Sequence, residues 1–95
     1  MLDQAKMLMK LKKAQKKLAQ EIIEAVAGDG AVTVSFTGEL KLKKITIDPE
    51  MVDIDDIHEL ERWIEAAVRD AMASAQEIAA ETMKPLMGDL NKLGL

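Results

Sequence analysis

One part of the chain alternates clearly with a period of two residues, and it is short. It lies between Gly28-Asp29-Gly30 and Asp48-Pro49. Val32, Val34 and Phe36 alternate with Thr33, Ser35 and Thr37, the pattern of a strand with one buried face. Gly38-Glu39 follows, read as a tight hairpin turn of the glycine-first kind. On the return, Leu40 and Leu42 share one parity while Ile45 and Ile47 have the other. The strand must therefore slip phase at Lys43-Lys44, through a bulge or a break into two short strands. Asp48-Pro49 stops the sheet. A two-stranded hairpin alone is marginal in water, so the flanking segments have to cover it.

Both flanks read as helix. From Leu2 to about Val26, Leu8, Leu11, Gln15, Leu18, Ile22 and Ala25 recur at steps of three and four, joined by Met7 and Ala14, and the glycines at 28 and 30 end the run. A second helix is expected to start at a cap on Asp53 or Asp55, with Asp56 and Glu59 placed against its dipole. Its seam runs Ile57, Leu60, Ile64, Ala67, Ala71, Ala75, Ile78 and Thr82, widened by Val68, Met72 and Ala79. The alanines permit close approach by another backbone. Pro85 should end or kink this helix, leaving Leu86, Met87, Leu90, Leu93 and Leu95 as a short amphipathic tail.

These lengths conflict usefully. Helices of about 25 and 30 residues span ~37 and ~45 Å, whereas a strand of seven covers ~23 Å, so the helices must overhang the sheet. The expectation is one α+β two-layer domain over residues 1–95: a long N-terminal helix, an antiparallel hairpin or short three-stranded meander with a bulge, and a long C-terminal helix. Two copies joined through their sheets would form a tweezer-like homodimer, with Val32, Val34, Phe36, Leu42, Ile45, Ile64 and Val68 at its interface.

The chain offers little for catalysis. It has no cysteine, hence no disulfide, thiolate nucleophile or Cys-ligated metal. His58 is the single histidine, and Ser35 and Ser74 sit in a strand and a helix rather than a nucleophile elbow. Asp53-Ile54-Asp55-Asp56 lacks the glycine and terminal glutamate of a calcium loop, and helix capping accounts for it better. No catalytic residue, metal, cofactor or small-molecule substrate is expected. The opening MLDQAKMLMK lacks the apolar run of a signal peptide, and no segment reaches the ~20 apolar residues of a membrane span. A cytoplasmic protein is expected.

Charge is the informative feature. The formal net charge is −4, yet residues 1–44 carry nine lysines against five acids, a balance of +4, and residues 45–95 carry four bases against twelve acids, a balance of −8. Within the first helix, Lys6, Lys10, Lys13 and Lys17 form one row and Lys12 and Lys16 lie on the other flank. Lys41, Lys43 and Lys44 extend the positive surface if the hairpin turns the same way. A duplex carries one charge per ~1.7 Å of axis, and lysines on a rigid rod can track that lattice while releasing counterions. The first helix has no arginine, so phosphate contacts with weak sequence preference are expected. The ordinary alternative is a solvated face that keeps an amphipathic helix soluble.

In order along the chain, MLMKLKKAQKKLAQE, VTVSFTGE, KKITIDPEMV and DIHELERWIEAAVRDAMASAQE resemble the YbaB/EbfC nucleoid-associated proteins of bacteria. The most specific part is ITIDPE followed by ELE and AAVRDA. The resemblance implies a small α/β homodimer with projecting helices that binds double-stranded DNA in the bacterial nucleoid. The helix positions that match are Lys6, Lys10, Lys13 and Lys17. Two other readings compete. A prefoldin-like holdase or helix-mediated interaction module would use Met7, Met9, Met83 and Met87 near the helix tips, residues for which ordinary seam packing is the favoured reading. A basic helix lying on anionic lipid is disfavoured because the first helix has no aromatic residue.

Overall fold

The computed structural model describes residues 2–92. The elements are α1 (Leu2–Gln20), β1 (Ile22–Ala27), a 3₁₀ turn (Gly28–Gly30), β2 (Val32–Thr37), β3 (Leu42–Ile47) and α2 (Ile57–Lys92). The strands form an antiparallel sheet in the order β1-β2-β3.

The third strand does not come from splitting the return strand. It comes from residues 22–27, expected to be helical. Ile22 and Ala25 continue the helical spacing of Leu18, but Ile22, Ile23 and Val26 are β-branched and suit a pleated surface. Alternation fits as well: Ile23, Ala25 and Ala27 pair with Phe36, Val34 and Val32. A third strand also relieves the marginal stability of a lone hairpin. The helix stops at Gln20, where the Glu21 amide donates to the carbonyls of both Lys17 and Leu18.

The phase slip is a bulge. Ser35 pairs with Lys44 and Phe36 with Leu42, leaving Lys43 as the extra residue. Its effect is to return Leu42, Ile45 and Ile47 to one face. The hairpin loop differs from the glycine-first turn. Gly38, Glu39 and Leu40 form a three-residue loop closed by the Thr37 amide on the Lys41 carbonyl at 2.8 Å, and the left-handed residue is Leu40, at φ 68°. Gly38 is needed for a different reason. Its amide donates to the Leu18 carbonyl at 2.9 Å, and a Cβ there would fall 2.7 Å from that same oxygen.

Ala67, Ala71 and Ala75, one turn apart on α2, are fully buried against Ile23, Val32, Val34 and Phe36. Methyl-sized side chains let the helix axis lie close to the sheet. Leu60, Trp63, Ile64, Val68 and Ile78 complete this core from the sides. The linker before α2 uses its acids as turn and cap. Asp48 accepts from the Glu50 amide at 3.0 Å, Asp53 from the Asp55 amide at 2.9 Å, and Asp56 from the Glu59 amide at 3.1 Å. Asp56, rather than Asp53 or Asp55, is therefore the N-cap.

Pro85 neither ends α2 nor separates a tail, because α2 continues through it to Lys92. Its missing amide leaves the Glu81 carbonyl without the usual intrahelical donor. Leu86, one residue on, is buried. Leu93 and Leu95 lie outside the described residues, as does the side chain of Leu90. At 36 residues α2 spans ~54 Å, far more than a six-residue strand covers. The overhanging part runs antiparallel to α1, giving a molecule of 63 × 18 × 15 Å: a sheet-and-helix body with a two-helix arm.

Candidate nucleic-acid interface

The seam of the arm decides which lysines are free. Leu18 is buried and Met7, Leu11 and Ala14 are half-buried on the side of α1 that meets α2. Leu8, expected in that seam, is instead 53% exposed. Lys6, Lys10, Lys12, Lys13, Lys16 and Lys17 are all exposed. Against the single acid Asp3, they give α1 a balance of +5.

At 100° per residue these lysines cover an arc of about 160°, nearly half the circumference of α1. Lys10, Lys13 and Lys17 border the groove between the two helices, which Thr82, Pro85, Leu86 and Asp89 line from the α2 side. Within it, Lys10 Nζ lies 3.0 Å from Asp89 Oδ2. Lys12 and Lys16 occupy the outer flank, and with Lys6, Lys10 and Lys13 they line a shallow depression around Met9. Lys43 and Lys44 stand on β3 in the body rather than on the arm. Lys44 projects from the sheet face opposite α2, and Lys43 is the bulge residue.

This arrangement supplies mobile ammonium groups on a rigid rod with little fixed geometry, suited to a polyanion rather than to a shaped small molecule. Among the described residues, no three His, Asp or Glu side chains gather so as to hold a metal ion. His58 lies 3.8 Å from Glu61 with 86% of its side chain exposed. No helix among the described residues is long and apolar enough to cross a membrane.

A sequence model of the YbaB/EbfC DNA-binding family matches residues 1–90. The chain belongs to that family. A nucleoid-associated protein of Chloroflexus aurantiacus is 43% identical over 83 residues, covering 87% of this chain and 83% of the relative. One from Thermoanaerobacter pseudethanolicus is 40% identical, covering 100% of this chain and 86% of the relative. An uncharacterized Helicobacter pylori protein, HP0035, has the same fold in its crystal structure. Its TM-score is 0.79, its identity 20%, and the match covers 87% of each chain.

As a YbaB/EbfC member the chain is from a DNA-binding rather than an enzymatic family, and its basic arm carries the charge such a role requires. The residues proposed for a dimer interface divide in two. Val32, Val34 and Phe36 are already buried beneath α2 of the same chain, and Ile64 and Val68 are half-buried beside them. Leu42 and Ile45 are exposed on β3, together with Ile47, which sequence reasoning had not included. Asp89 was also missed. Its contact with Lys10 spans 79 positions, beyond the reach of any local pattern.

Proposed function

We propose that the protein is a homodimeric, nucleoid-associated protein of the bacterial cytoplasm that grips duplex DNA through phosphate contacts from the α1 lysines. The observation that carries this reading is the exposed cluster Lys6, Lys10, Lys12, Lys13, Lys16 and Lys17 on a projecting arm, in a chain of a DNA-binding family. At a Debye length of ~8 Å, a phosphate near the arm feels these ammonium groups more than the acids around the start of α2. Lys43 and Lys44 supplement the arm from the body.

Dimerisation is supported by β3. The face that α2 covers over β1 and β2 continues onto β3, where Leu42, Ile45 and Ile47 are 53, 39 and 40% exposed. Met72 of α2 is a further exposed apolar residue, at 38%. A second copy covering these residues brings two arms to one duplex and doubles the available contacts.

The test is titration of labelled duplex at several salt concentrations, beside a variant with Lys6, Lys10, Lys13 and Lys17 changed to Gln. Each lysine seated on a phosphate contributes about 0.9 to the log–log salt slope. The variant's slope should be shallower by up to about 3.6 per protomer. Equal slopes would reduce the row to a solvated face.

A further inference from the structure

Met9 is 68% exposed and does not belong to the seam. It lies nine residues from Leu18, and so about 180° around the helix from the side that meets α2. It projects directly away from α2. Lys6 and Lys13 flank it on one side and Lys12 and Lys16 on the other, all within about 60° of it at 100° per residue. Their alkyl stems and the thioether line one shallow depression. An isolated exposed methionine ordinarily needs no explanation. This one occupies the apex of the most basic face of the arm, so a polyanion drawn to the lysines meets its sulfur and methyl group.

The ligand that fits must present two rows of negative charge with an apolar feature recessed between them. Duplex DNA does. Its major groove is about 12 Å wide, it admits an α-helix, and the thymine C5 methyl groups lie on its floor. A helix with its side chains is about 10–12 Å across. With lysines of the two flanks directed to opposite phosphate walls, the apex residue faces the floor. An anionic bilayer fits less well, since it calls for a broad apolar face, and here lysines border Met9 on both sides.

We propose that Met9 is the base-contacting residue of α1, packing against thymine methyl groups in the major groove and giving the arm a modest preference for A·T pairs. This rests on the duplex-binding reading above and adds a specificity element that the lysines alone lack.

The test uses one duplex sequence prepared with thymine and again with uracil throughout. The exchange removes only the methyl groups and leaves pairing and charge unchanged. Wild type and Met9→Gln are titrated against both, Gln being a helix former of similar length at an exposed site. Wild type should bind the thymine duplex about fourfold more tightly for each methyl covered, from ~0.8 kcal/mol per buried methylene-sized group. Met9→Gln should bind both duplexes equally, with the wild-type salt slope because no charge has changed. A thymine-to-uracil ratio that is the same in both proteins overturns the proposal while leaving the phosphate grip standing. Wild type failing to bind either duplex at low salt removes the duplex reading itself, and this inference with it. Met9-dependent retention on phosphatidylglycerol vesicles, without a methyl effect on DNA, also overturns it by making the residue a lipid contact.

Discussion

The indole of Trp63 lies against Gly28 so closely that a Cβ built on the glycine would fall 2.5 Å from Trp63 Cδ2. Gly28 also has a φ of 62°, a conformation costly for residues with a side chain. The two constraints act together, because the turn from β1 to β2 is held in the left-handed region just where α2 crosses it. Trp63 thereby joins the sheet to the start of α2, which makes it part of the core of its own chain.

Replacement of Gly28 by Ala should therefore be among the most damaging small substitutions. Left-handed strain of about 1 kcal/mol and overpacking against a rigid ring of about 1–3 kcal/mol add to a loss of roughly 2–4 kcal/mol. Urea unfolding, followed through the fluorescence of the single tryptophan, measures it. A loss below about 1 kcal/mol would mean that the indole moves aside freely.

What could be read from the chain depended on how local the cause was. The bulge at Lys43 was legible because parity along one strand records it. The lysine face was legible for the same reason, as helical spacing alone places it. The segment from Ile22 to Ala27 was not, since its apolar spacing satisfies either a helix or a strand, and the choice is made by β2 beside it. Gly38 was read as a turn glycine, yet the decisive constraint is the Leu18 carbonyl at the end of α1. Pro85 was read as a terminator, but α2 continues past it to Lys92, with Leu86 buried one residue beyond. Met9 was expected in the seam among the other methionines, and only the position of α2 reveals that it faces outward.

The Lys10–Asp89 pair predicts a gain on mutation. Its side chains are 58 and 34% exposed, so it contributes at most about 1 kcal/mol to stability. It also holds one ammonium of the lysine row beside a carboxylate that repels phosphate. Asp89→Asn should leave thermal unfolding nearly unchanged while strengthening duplex binding, with a salt slope steeper by up to about 0.9 per protomer. An unchanged slope would place Lys10 outside the DNA contact.

The outer strand supplies the sharpest test of assembly. Ile45 is 39% exposed and pairs with Val34 of β2, so it continues the apolar face beyond the edge of α2. Within one protomer a carboxylate at this position remains in water and costs little. In the proposed dimer, Ile45→Glu in both copies places two charges in an apolar contact, each costing several kcal/mol unless paired. Sedimentation analysis should then show a monomer with the wild-type far-ultraviolet circular dichroism per residue. Its DNA affinity should fall steeply, because an arm on its own loses the effective concentration that a linked second arm provides. A variant that remains dimeric would move the interface away from β3. A folded monomer that keeps wild-type affinity would mean that a single arm is sufficient to hold the duplex.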